Sequence, residues 1–240
     1  MKVTRNPPTG SGARVGNAMC EDPRIDAINF TGSSETGVTI ARAAATHLTP
    51  TYMELGGNDV CNRARSSGAD PTTNMYSATT YRNALKAAID TLAGCLPQGA
   101  VVQVMSMPRV DYLYEAGIQR RGLYCQGVWS LAGICRIVTG ETNAARRASV
   151  GARINEYNEA LGAEVSAAQA RHAAKLRILT DWQGVAASGR SLGTYRFTGP
   201  DINGADCFHP YSSGQRKLAC VAWETGEFGV AANVPSCVAQ

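Results

Sequence analysis

Four short apolar runs, separated by segments of helical period, constrain this chain more than any other feature. The runs are Ala27-Ile28-Asn29-Phe30, Thr51-Tyr52-Met53-Glu54-Leu55, Val101-Val102-Gln103-Val104-Met105 and Leu176-Arg177-Ile178-Leu179. Between the first two, an Ala-rich helix is expected over residues 38–47, stopped by Thr49-Pro50, because proline cannot continue a helix. A second helix is expected over residues 77–92, with Ala84, Ala87, Ala88 and Leu92 apolar. A long third covers residues 143–172 and repeats apolar residues at Ile154, Tyr157, Leu161 and Val165. A last helix begins near Ser212 and runs through Trp223. Strands joined by helical crossovers pair in parallel, so the expected class is α/β, a sandwich on a mainly parallel sheet. The run 101–105 has few polar residues and is expected to be buried on both faces.

The segments between are less regular. Residues 1–16 are rich in Gly, Pro and Thr and read as an irregular arm. Loops are expected over 66–74 and 183–205, and irregular or short-helical structure over 112–135. With 240 residues, no internal repeat and no linker, one domain over 1–240 is expected.

Charge and composition exclude several classes. The net charge is +4, and the Lys and Arg residues are scattered, with short pairs at Arg120-Arg121 and Arg146-Arg147. No basic stripe marks a nucleic-acid face. No apolar run is long enough to span a bilayer, and the N-terminal charge has no apolar signal-peptide region behind it. Eight cysteines, at 20, 61, 95, 125, 135, 207, 220 and 237, form no Cys-X-X-Cys pair, and no paired histidines accompany them, so no metal site is expected. Their even number suggests disulfides and an exported protein, against the missing signal peptide. The state of assembly is not legible in the sequence.

Two stretches carry chemistry. In Asp206-Cys207-Phe208-His209-Pro210, a carboxylate and an imidazole three residues apart on a turn can pair through Nδ1, leaving Nε2 as a proton acceptor. In Leu55-Gly56-Gly57-Asn58-Asp59, a Gly-rich turn follows a strand, where parallel sheets open their ligand crevice. Both stretches, with Ser213-Gly214-Gln215, resemble blocks of the SGNH (GDSL-type) serine ester hydrolases over residues 56–240. Further similar pieces are 83–96, Ser106-Met107-Pro108, 129–135 and 155–158. The resemblance implies a three-layer α/β/α sandwich of flavodoxin-like type. It implies Asp206 and His209 as acid and base, Asn58 with Gly57 as oxyanion donors, and a Cys61–Cys135 disulfide.

The family's Gly-Asp-Ser nucleophile block is missing, and residues 10–58 are similar to another family. Phe30-Thr31-Gly32-Ser33 with Gly37, and Met53-Glu54-Leu55-Gly56-Gly57, resemble motifs of the aldehyde dehydrogenases. There the first motif lies by a nicotinamide cofactor and the Glu of the second is a general base. About fifty residues cannot build a full dinucleotide site, so this 1–58 segment is read as borrowed architecture and Glu54 as a strand residue near a turn.

Two registers follow for the nucleophile. Ser34 can sit at a helix N-terminus after the first strand, where a capping role is equally open. Alternatively Thr31-Gly32-Ser33 replaces a later block, Gly32 becomes an oxyanion glycine, and Ser33 or Ser11 remains as the serine. The expectation is a cofactor-free serine ester hydrolase acting on a small-molecule ester through an acyl-enzyme at Ser34. Its alternative is an acyl-ligand-binding protein that has lost the nucleophile. His47 and His172 are expected to be surface histidines, and Tyr112, Leu113, Tyr114, Trp129 and Leu131 to pack in the core or line an acyl pocket.

Overall fold

The computed structural model describes residues 29–32, 51–61, 70–182 and 191–225. Four strands form one parallel sheet: β1 (Asn29–Gly32), β2 (Thr51–Leu55), β3 (Ala100–Met105) and β4 (Leu176–Thr180), in that order across the sheet. Seven helices accompany them among the described residues. They are α1 (Gly57–Cys61), α2 (Ala78–Cys95), α3 (Leu113–Arg121), α4 (Leu123–Ala132), α5 (Arg136–Thr139), α6 (Ala144–His172) and α7 (Ser212–Thr225). The α/β class and the parallel pairing read from the alternating pattern are present.

Strand β3 sorts the layers. Its Val102 and Val104 belong to the main core, with Leu85, Ile89 and Leu92 of α2 and Ile154, Tyr157 and Leu161 of α6. On the other face, Met105 packs with Leu192 and Val221, and the Gln103 amide donates to Ala222 O and Thr225 Oγ1 at 3.0 Å each. Successive strand residues point to opposite faces, so one strand binds α2 and α6 on one side and α7 on the other. Strands laid down in one direction across the sheet, joined by crossovers of one hand, place α2 and α6 on the same face by the general rule, and the two helices touch.

Helix boundaries follow local chemistry. Ser77 caps α2 by accepting from Thr80 N at 3.1 Å, and Asn143 caps α6 by accepting from Ala145 N and Arg146 N. The buried stripe of α6 includes the four residues its period singled out. That of α2 is different: Tyr81, Leu85, Ala88, Ile89 and Leu92 are buried, whereas Ala87 is exposed. Of the four apolar positions read from the sequence, Ala88 and Leu92 are buried and Ala84 is half-buried; the larger side chains Tyr81, Leu85 and Ile89 complete the face. Tyr81 and Tyr157 stack across the two helices with ring centroids 4.7 Å apart.

The structure sharpens three expectations. The irregular or short-helical stretch 112–135 contains the helix pair α3 and α4, with Gly122 (φ 51°) turning the chain between them. The expected turn after β2 closes at Gly56, and α1 starts at Gly57. Gly56 has φ 112°, and a Cβ there would lie 2.1 Å from Met107 Cε, so only glycine fits. In the described part of the two Gly-rich loops, 3-10 turns occur at Pro71–Asn74, Leu192–Thr194 and Gly199–Asp201. The arm over 1–16 and the helix expected over 38–47 lie outside the described residues.

The disulfide expected between Cys61 and Cys135 is present, and a second joins Cys125 to Cys207. Cys220 is also disulfide-bonded, and Cys95 is an exposed thiol. Among the described residues no group of metal-ligating side chains occurs, and no helix is long and apolar enough to cross a membrane.

Candidate functional site

The site is built around a turn that ordinary hydrogen bonding closes. Asp206 Oδ1 accepts from the amides of Phe208 (2.9 Å) and His209 (3.1 Å), the pattern by which an Asp side chain organises its own turn. Its other oxygen, Oδ2, lies 3.0 Å from His209 Nδ1. Burial works to raise the Asp206 pKa, but the two amides and the His209 ring outweigh it and hold the group below the ordinary carboxylate value. An ionised carboxylate only accepts, so Nδ1 is the nitrogen that donates to it, and Nε2 points away from this contact. The His209 side chain is 70% exposed, so the imidazole is open to solvent.

Four contacts fix this turn to the rest of the chain. Cys207, with φ 57°, is tied to α4 through Cys125. The buried Trp129 donates its indole N–H to Cys207 O at 3.1 Å. Asn203 N donates to His209 O (2.8 Å), and Tyr211 N to Asp201 O (2.7 Å). Asp201 is 1% exposed and meets Lys217 Nζ at 2.8 Å and Thr198 Oγ1 at 2.7 Å. The paired carboxylate and imidazole thus stand on a stapled loop, with the start of α7 behind it.

The imidazole opens on a cleft of about 580 Å³. One wall comes from the end of β2 and the start of α1: Tyr52, Glu54, Gly57 and Asn58. Phe208, His209, Pro210 and Gln215 line the same cleft, and Met105, Leu113, Leu192 and Leu218 contribute apolar lining. Alternation along β2 explains the first wall: Met53 and Leu55 point into the core, so Tyr52 and Glu54 point away from it. A Cβ on Gly57 would meet nothing within 4 Å, which leaves room for a ligand beside the Asn58 amide.

The structure therefore brings Asp206 and His209 into contact, and His209, Asn58 and Gly57 onto one cleft. Gly32 ends β1, next to Leu55 in the parallel register. Ser34, Ser33 and Ser11 lie outside the described residues, as does His47. Among the described residues, no serine hydroxyl hydrogen-bonds the His209 ring; Ser213 donates to Pro200 O at 2.9 Å.

Glu54 is the residue sequence reasoning set aside. It lines the cleft, and its signal was the alternation of β2. His172, half-buried near the surface, has a partner: its Nε2 lies 2.8 Å from Asp90 Oδ1. Lys86 and Arg171 join the same carboxylate. Burial opposes ionisation of Asp90, but these cations and the imidazole prevail and lower its pKa. Of the aromatic segment, Leu113 lines the cleft and Trp129 is core, whereas Leu131 is 91% exposed.

Comparison with known proteins bears on the N-terminal part. The model of the aldehyde dehydrogenase family matches residues 6–64. Two curated proteins named aldehyde dehydrogenase, from two strains of Vibrio cholerae serotype O1, are each 48% identical over 48 residues. This covers 20% of the chain and 10% of each relative. The chain thus spans about a tenth of the length of the curated relatives it matches.

These findings correct the expected function. The matches point to aldehyde dehydrogenase and not to a serine ester hydrolase, and nothing in them supports an SGNH segment over residues 56–240. The physical reason is that the blocks carrying that reading are short and local. An Asp three residues before a His closes its own turn whatever chemistry surrounds it, and a Gly-rich turn after a parallel strand is common to many α/β sheets.

The aldehyde dehydrogenase likeness implies a nicotinamide cofactor, and the described cleft does not suit one. Its lining contains no Lys or Arg to meet a pyrophosphate, and Glu54 brings a carboxyl group to the same wall. No step through such a cofactor is derived.

Proposed function

We propose that the chain is an enzyme acting on the carbonyl group of a small aldehyde by general-base chemistry, with His209 as the base. The observation that carries this reading is the composition of the cleft. Tyr52, Glu54, Gly57 and Asn58 belong to the stretch similar to aldehyde dehydrogenases, and they share one cleft with His209 and Gln215 from the far end of the chain. An aldehyde is small, has an apolar tail for the Met105–Leu192–Leu218 lining, and has one carbonyl oxygen for a donor.

In this reading Nε2 of His209 takes a proton from a water as its oxygen adds to the carbonyl carbon. Asp206 holds the ring and stabilises the imidazolium. The Asn58 side-chain N–H, with Gly57 leaving space beside it, donates to the oxygen as it becomes negative. The adduct is the aldehyde hydrate, RCH(OH)2, formed when the imidazolium returns its proton to that oxygen. The same reading takes the architecture as a three-layer α/β/α sandwich over the whole of 1–240. The helices on both faces of β3 support it, and the described strands run without reversal of order.

The test is exchange of labelled oxygen from water into a short aliphatic aldehyde, followed by mass spectrometry. The expected result is exchange above the buffer rate, falling about a hundredfold or more in His209→Ala, the usual contribution of a general base. Exchange equal to buffer, or unchanged in the variant, overturns the reading. Absorbance of reduced nicotinamide in the presence of NAD is expected to stay flat.

A further inference from the structure

Helix α4 breaks the rule that an exposed helix face is polar. Its ten residues, Leu123–Ala132, contain no charged side chain. Cys125 and Trp129 cover the inner side, yet large apolar side chains also stand on the outer side, beside the exposed Gly127 and Ser130: Leu123 is 85% exposed, Leu131 91% and Tyr124, whose ring lies under Arg121, 46%. A soluble helix is expected to be polar on the face it turns to water. The preceding α3 adds Ile118, 38% exposed.

The charges lie at the two ends of this helix. Arg120 and Arg121 close α3 just before it, and Arg136 opens α5 just after it. Arg121 and Arg136 are both exposed. The nearby Glu115 is already held by Arg147, which leaves the flanks of α4 cationic.

We propose that the outer face of α4 docks on an anionic bilayer surface, with Leu123, Tyr124 and Leu131 entering the interface and the arginines on lipid phosphates. Side chains exposed to 85–91% project from the surface with almost no neighbours, so a rigid protein partner would need deep matching hollows, whereas lipid deforms around them. Two copies paired through α4 would bring cationic ends together. Ten residues span roughly 15 Å, too short to cross a bilayer and long enough to lie in its plane. The turn bearing His209 is adjacent: Arg121 Nη1 donates to Gly204 O at 3.0 Å and the Tyr124 hydroxyl to Ala205 O at 3.4 Å. The inference is independent of the aldehyde reading, since it uses none of the cleft residues.

The experiment is co-sedimentation of the full chain with vesicles of phosphatidylcholine alone, or of phosphatidylcholine with phosphatidylglycerol. Binding to the mixed vesicles, weakened by salt, is expected. Leu123→Asp and Leu131→Asp should each reduce partitioning at least about tenfold, because an inserted leucine side chain is lost and a like charge added. Arg136→Gln should reduce binding to the mixed vesicles about fivefold and leave the weak binding to neutral vesicles unchanged. These side chains touch little of the fold, and circular dichroism checks each variant; Leu131→Ser substitutes for any that misfolds. No sedimentation with the mixed vesicles, or equal sedimentation of wild type and Asp variants, overturns the proposal. So does a dimer, seen by light scattering without lipid, that Leu123→Asp disperses.

Discussion

Replacing Gly117 by alanine tests how the His209 turn is supported. Gly117 lies inside α3, where alanine is intrinsically the better helix former by about 1 kcal/mol. On propensity alone the substitution would stabilise. Packing opposes it: an added Cβ would stand 2.1 Å from Trp129 Cζ2 and 2.2 Å from Cη2. The methyl group meets a large, rigid ring that is itself 2% exposed, so neither side can give way cheaply. Overpacking of this kind costs about 1–3 kcal/mol. If the indole shifts, its hydrogen bond to Cys207 O is lost as well, about 1 kcal/mol more. Set against the gain in propensity, the net expectation is a loss of about 2 kcal/mol.

The control is Gly127→Ala. Gly127 is also mid-helix, in α4, but a Cβ there would meet nothing within 4 Å. Only propensity remains, so this variant should be up to about 1 kcal/mol more stable than wild type. Urea unfolding followed by circular dichroism measures both, with unchanged slopes expected. Tryptophan fluorescence reports the displaced indole in Gly117→Ala alone. Gly117→Ala matching or exceeding wild-type stability would refute the packing argument, because nothing else in the surroundings opposes the better helix former.

Three further outcomes follow from the same structure. Converting Cys125 and Cys207 together to serine opens a link across 82 residues and should cost about 4–5 kcal/mol by chain entropy; thermal unfolding checks it, and an unchanged midpoint counts against it. Asp206 has a folded-state pKa below its unfolded value, so its contribution is complete above about pH 4 and disappears as pH falls through the folded value; the stability gap between wild type and Asp206→Asn should close on acidification rather than on raising pH. Tyr81→Phe removes a hydroxyl that donates to Leu55 O at 3.1 Å in a buried setting and should cost about 1 kcal/mol, read from urea midpoints.

The periodic parts of the fold were legible because period reports burial directly. Strands β2, β3 and β4 and helices α2, α6 and α7 fall where apolar spacing placed them, and both long helices begin just after the capping residues Ser77 and Asn143. The pair α3 and α4 was legible only as short-helical structure, for a physical reason: α4 carries no charged residue to mark its outer face, and Gly122 interrupts the run between the two helices. At the site, the Asp206–His209 contact was legible because three residues of turn suffice to form it. Glu54 was visible in its motif and in the alternation of β2, but that it shares a cleft with His209 depends on the fold. Cys125–Cys207 was equally hidden, since no local spacing couples those positions.

The stretch similar to aldehyde dehydrogenases is a small part of the chain, yet its described residues are bound into the whole. Strand β2 lies inside residues 6–64 and pairs with β3, which lies outside, from Thr51↔Val102 to Glu54↔Met105. The Leu55 carbonyl receives the Tyr81 hydroxyl, Gly56 lies against Met107, and Cys61 is linked to Cys135. A parallel sheet makes this union cheap. Its ladder is backbone to backbone and indifferent to side-chain identity, and its faces ask only for alternating apolar residues of suitable size. Chemistry is more demanding, because it depends on side chains held to a few tenths of an ångström. The motif similarity at Glu54, Gly56 and Gly57 therefore speaks for one wall of the cleft. On the aldehyde reading proposed above, His209 and Gln215 would supply the groups that share the cleft with it.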